Sequence, residues 1–134
     1  MAWIEPKTDW VKTDFFNYGD YNRMIGNLLV LKEMSDELFV DILFEDMGLE
    51  KVENDVIYAS EFNKIENNLY NIAKWSYGEN TKRRTYRSNG GTPTFEDFNR
   101  LERMMLLLYN KMRNHKDNLY RLPFILGNQK GVRV

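Results

Sequence analysis

Asp20-Tyr-Asn-Arg-Met-Ile-Gly-Asn-Leu-Leu-Val-Leu31 returns twice in altered form, as Glu61-Phe-Asn-Lys-Ile-Glu-Asn-Asn-Leu-Tyr-Asn-Ile72 and Asp97-Phe-Asn-Arg-Leu-Glu-Arg-Met-Met-Leu-Leu-Leu108. The three align without gaps: acidic, aromatic, Asn, basic, aliphatic, then apolar residues four and seven positions after that aliphatic. Each copy sets its apolar residues three and four apart, which places them on one face of a helix. The stripes are Tyr21, Met24, Leu28, Leu31; Phe62, Ile65, Leu69, Ile72; and Phe98, Leu101, Met105, Leu108. The third continues through Met112, His115, Leu119 and Leu122 as a heptad seam. The copies are offset by 41 and 36 residues, too irregular for a solenoid, so the expected fold class is all-α, a three-helix bundle.

Helix starts and stops mark out the rest. Asn17 with Asp20, and Thr94 with Asp97, have the spacing of an N-cap and an acidic third residue. Phe16 with Tyr21, Ile57 with Phe62 and Pro93 with Phe98 have the spacing of a hydrophobic staple. Tyr58 is a poor cap, so Ser60 is expected to open the second helix. Gly48, Gly78 and a point before Gly127 should end the three. The predicted helices are 18–47, 60–77 and 94–121. The span from Leu49 to Tyr58 is expected to hold only a short extended piece, and 79–94, rich in Gly, Ser, Thr and Arg, reads as loop. Residues 1–16 read as an ordered arm, because Trp3, Trp10, Phe15 and Phe16 are too apolar to be left in water. Residues 122–134 read as a C-terminal tail.

The 134 residues suit a single domain, 1–134. Hydrophobic residues at 43% and aromatics at 14% set the chain apart from disordered sequences. A formal net charge of −1 gives no global field toward nucleic acid or an anionic membrane. There is no cysteine, which excludes disulfides and thiol chemistry. The N-terminus lacks the apolar run of a signal peptide. The longest apolar run, 104–109, is far short of the roughly 20 residues of a membrane span.

Catalytic constellations are not evident, and no catalytic, cofactor or metal residue is assigned. His115 is the only histidine, and no carboxylate stands at metal-ligand spacing from it. Glu45-Asp46 and Glu96-Asp97 read as helix-end carboxylates, and Gly90-Gly91 as a turn. Lys82-Arg83-Arg84-Thr85-Tyr86-Arg87 is the one basic run, and Lys82, Arg83, Arg84 and Arg87 are candidate contact residues beside Trp3 and Trp10. One basic loop supplies few phosphate contacts, so neither nucleic acid nor membrane is an expected partner. Asn22, Asn63 and Asn99 form a repeated structural motif. Asn is a mediocre helix former, so its repetition suggests an amide that ties each helix start to a neighbouring loop. Met104, Leu106, Leu107 and Tyr109 extend apolar surface around the third helix. Self-association, or a partner, through that helix and the aromatic arm is therefore expected.

The opening Trp3-x-x-Pro6-Lys7-Thr8-Asp9-Trp10 with Phe16-Asn17-x-x-Asp20-Tyr21-Asn22-Arg23 resembles the start of small tail-associated structural proteins of phages and prophages of Gram-positive bacteria. Phe62-Asn63-Lys64-Ile65-Glu66 and Thr92-Pro93-Thr94-Phe95-x-x-Phe98-Asn99-Arg100-Leu101-Glu102 resemble a helix start that recurs in phage baseplate and tail-fibre proteins. The resemblance touches about a third of the chain. It implies a non-catalytic virion part that joins tail or baseplate proteins or serves as an adaptor for host-recognition components, assembled in the host bacterial cytoplasm and often oligomeric. It carries over no catalytic residues. Many members also contain a β-rich receptor-binding region, which these residues do not, so direct host binding is in doubt. The competing reading is a cytoplasmic helical regulator that grips a protein or, weakly, nucleic acid.

Overall fold

Each helix begins where a carboxylate three residues in takes the open backbone N–H of the residue before the helix. Asp20 accepts from the N–H of Asn17 at 3.0 Å, while Asn17 Oδ1 accepts from that of Asp20 at 3.1 Å. Glu61 accepts from Tyr58 at 2.9 Å, and Asp97 from Thr94 at 2.9 Å. The helices so started are α1 Tyr18–Leu38, α2 Ala59–Ser76 and α3 Phe95–Asn128. The computed structural model describes residues 2–79, 82–88 and 90–128, with side chains in α3 as far as residue 119. Among the described residues there is no strand, only an isolated bridge between Arg87 and Gly91. The protein is an all-α three-helix bundle.

All three helices point the same way. At their starts the rings of Phe62 and Phe98 lie 6.1 Å apart, and those of Tyr21 and Phe62 lie 6.4 Å apart. At the far end Phe39, just past α1, lies 5.2 Å from Tyr77, just past α2, and 5.6 Å from His115 in α3. Bundles with short loops alternate direction. Here the chain must return the length of a helix before starting the next, about 31 Å for the 21 residues of α1. The connections 39–58 and 77–94 are long enough to do so.

The stripes meet along the axis. Tyr21, Met24, Leu28, Leu31, Ile65, Leu69, Ile72, Leu101, Met105, Leu108 and Met112 are all but fully buried, and Phe62 and Phe98 are buried too. The seam ends at the bundle's edge, where His115 is half-buried and Leu119 exposed.

Four expectations need correction. α1 stops at Leu38, not 47. Phe39 turns extended to pack on Tyr77 and His115, and Asp41 folds back to pair with Lys32 at 2.7 Å. Gly48, with φ +77, makes a turn within the connection, its N–H bonded to Asp46. Tyr58, not Ser60, precedes α2, because the Glu61 carboxylate supplies the cap that the tyrosine side chain cannot. α3 runs through Pro123 and Gly127 to Asn128, so 122–128 belongs to a helix and not to a tail. Residues 129–134 of that tail lie outside the described residues.

Candidate functional site

The repeated asparagines clamp the chain. Asn22 Nδ2 donates to the carbonyl of Lys51 and its Oδ1 accepts that residue's N–H, both at 2.8 Å. Asn63 does the same with Tyr86, at 3.1 and 2.7 Å. Asn99 does so with Trp10, at 2.9 and 2.7 Å. A side-chain amide is suited to this because it presents one donor and one acceptor side by side, as a neighbouring strand would. Each helix thus holds the extended segment that leads into the next, and α3 holds the segment leading into α1.

A second pair of clamps lies five residues further along α1 and α2. Asn27 brackets Ile4 at 2.7 and 2.9 Å, and Asn68 brackets Glu45 at 2.8 and 2.7 Å. Segment 4–10 therefore lies between α1 and α3, and segment 45–51 between α2 and α1. The turn after each is the same: Val11 N–H to Asp14 and Asp14 N–H to Val11 O, then Val52 N–H to Asp55 and Asp55 N–H to Val52 O. The repeat is thus an extended segment plus a helix, arranged about an approximate threefold axis. In the third copy Met104 stands where Asn27 and Asn68 stand in the first two.

Two of the three junctions bury a charge. Glu102, fully buried, accepts from the Trp10 indole at 2.7 Å, from the Lys7 N–H and from Arg23 at 2.8 Å. Glu66 accepts from the Tyr86 hydroxyl, from Arg84 N–H and from Arg100. Burial pulls both guanidinium groups down, but the carboxylates outweigh it, Glu102 and Asp20 for Arg23 and Glu66 and Asp97 for Arg100, and hold both above the usual arginine value. Burial, then Glu66, pushes the Tyr86 hydroxyl well above the ordinary tyrosine range. At the third junction Ile25 stands where Glu66 and Glu102 stand, and Lys51 pairs instead with Glu61 at 2.8 Å. These glutamates and arginines follow the repeated asparagine by three residues and by one, so the motif already contained them.

The arm does not present its tryptophans. Trp10 is only 3% exposed, packed near Phe16 and Phe98. Trp3 stacks on Tyr109 of α3 at 4.0 Å. The arm therefore packs its tryptophans on its own chain, but it leaves Leu107 of α3 39% exposed, and Phe15, expected to be covered, is 91% exposed because it points away from the bundle's aromatic cluster. Phe16, expected to staple to Tyr21, instead stacks on Phe98 at 4.3 Å.

The basic run is partly spent as well. Arg83 lies over the Tyr70 ring at 4.3 Å and bonds to Asn67, and Arg84 pairs with buried Asp97. The side chains of Lys82 and Arg87 are exposed. Gly90, with φ +114, takes a turn open mainly to glycine. His115 Nδ1 lies 3.0 Å from the Tyr77 hydroxyl, so the lone histidine closes the bundle's end. Glu45 is clamped through its backbone and Asp97 caps α3, while Glu96 is exposed. Among the described residues no three His, Cys, Asp or Glu side chains are grouped to hold a metal, and no helix is long and apolar enough to cross a membrane. No protein-family model, curated protein or solved structure matches the chain.

Proposed function

We propose that the chain is a non-catalytic structural part of a phage tail or baseplate, acting in assembly or as an adaptor for host-recognition components. One observation carries the reading. The residues through which the sequence resembles phage tail proteins are the ones that build the frame: Asn22, Asn63 and Asn99 clamp three segments, and Arg23, Arg100, Glu66 and Glu102 lock two junctions. The motif therefore serves a rigid scaffold, which suits a part that must hold its shape under load. A regulator acting through loop 82–87 has less support, since Arg83 and Arg84 are engaged within the chain.

The test is composition and phenotype. Virions of the encoding phage, banded by density, should contain the chain in stoichiometric amount by mass spectrometry, and its deletion should give particles with defective tails under the electron microscope. A chain absent from virions, with normal infectious particles after deletion, would overturn the reading.

A further inference from the structure

The outward face of α2 lies between two stretches of opposite charge. On one side, connection 41–55 carries six carboxylates against a single lysine, Lys51, which Glu61 neutralises. On the other, loop 82–87 carries Lys82, Arg83, Arg84 and Arg87 and no acid. Both rims are fixed to the helix between them. Asn68 clamps Glu45 and Asn71 donates to the Leu43 carbonyl at 3.3 Å, while Tyr70 and Asn67 hold Arg83. Asn67, Asn71 and Lys74 line the strip in steps of four and three residues, one face of α2.

The acidic rim is also apolar. Leu43 is 79% exposed and Leu49 90%, and Val52 and Val56 stand out beside them. Large apolar side chains exposed along one connection offer surface that a partner can bury. Among the described residues nothing pairs with the side chains of Glu45, Glu50 or Glu53 on this rim, nor with those of Lys82 or Arg87 opposite.

We propose that this face is an isologous contact between two copies of the chain, related by a twofold axis parallel to α2. The charge pattern selects that occupant. Rotation about an axis lying in the contact plane along α2 brings the acidic rim of each copy over the basic rim of the other. Rotation about the perpendicular in-plane axis would set like charges together. The same docking lays Leu43 and Leu49 against the arginine and lysine stems of the partner, whose methylenes are apolar. Trp3 and Trp10 of the arm are already engaged within their own chain, whereas the α2 face carries unspent charge of both signs. This inference does not depend on the virion role.

Sedimentation or light scattering of the full chain at low salt should give about twice the 16.1 kDa chain mass, falling toward 16.1 kDa as salt rises. Two charge-reversed variants sharpen the test, Glu45→Lys with Glu50→Lys, and Lys82→Glu with Arg87→Glu. Each alone should be a helical monomer by circular dichroism and mass. Mixed in equal amounts they should regain the dimer, because each reversed rim then meets an opposite one. A wild-type monomer at every concentration, a dimer that both variants keep, or a mixture that stays monomeric would each overturn the proposal. So would a monomer whose Lys82 and Arg87 instead bind oligonucleotides tightly.

Discussion

Asn99→Ala removes a clamp without touching the apolar core, and its cost can be worked from the geometry. The amide makes two hydrogen bonds to one backbone residue, at 2.7 and 2.9 Å. Trp10 is buried, so its N–H and C=O have no ready water to turn to after truncation. An unsatisfied buried group costs about 1–3 kcal/mol, and two of them, partly relieved by water entering the space, set the loss at about 2–5 kcal/mol. The same change at Asn22 acts on half-exposed Lys51, where water can replace both bonds, and should cost about 1 kcal/mol. Urea unfolding followed by far-ultraviolet circular dichroism measures both, and the difference between sites matters more than either value. The thermal midpoints should differ in the same order, by about 3–5 °C per kcal/mol for a chain of this size. An Asn99→Ala cost below about 1 kcal/mol, or no larger than that of Asn22→Ala, would refute the view that the clamp closes the bundle.

Glu102→Ala strands the Arg23 guanidinium and the Trp10 indole together, and should cost about 3–5 kcal/mol in urea unfolding, as breaking a buried pair does. Leu69→Ala and Leu101→Ala should each cost about 2–5 kcal/mol by the same assay, as truncation in a packed core does. Burial pushes the Asp97 and Glu61 carboxyls up, but hydrogen bonds with Thr94 and Arg84, and with Lys51 and Tyr58, outweigh it and hold both below their ordinary values of 3.8 and 4.5. A lowered carboxyl stabilises the fold above its unfolded value, so stability should decline as pH falls through and below that range, and acid titration of the unfolding free energy should show it. Fluorescence titration at physiological salt should find no sub-micromolar binding of oligonucleotides to the wild-type chain, because one partly engaged loop offers few phosphate contacts.

The helix faces were legible in the sequence because burial on one side leaves a period of 3.6, and every stripe residue from Tyr21 to Met112 is in the core. The repeated asparagine was legible as well, since a weak helix former used three times at one place needs a reason. The extended half of the repeat was not read, although Val11-x-x-Asp14 and Val52-x-x-Asp55 carry it at the same offset as the helices. Segments held by backbone clamps need no periodic side chains, so only the turn and the asparagines mark them. Helix direction was hidden too, because an apolar stripe reads alike from either end. The length of the two connections was the available hint. Trp10 looked like a contact residue because its burial depends on a partner 89 positions away, the Asn99 side chain.

That separation bears on how the chain is made. Segment 4–10 leaves the ribosome well before α3, yet the groove that receives it has α3 as one wall. At about 5–20 residues per second, Trp10 waits roughly 5–20 seconds before Asn99 and Glu102 exist to take it. For that interval Trp3, Trp10 and Phe16 belong to a nascent chain with an unfinished ring, open to chaperones and to neighbouring chains on the same message. Helical proteins as a class fold fast because their contacts are local. This one defers its closing contact until α3 has been made, so its yield in the cell should be sensitive to translation speed across 39–98 in a way its equilibrium stability is not.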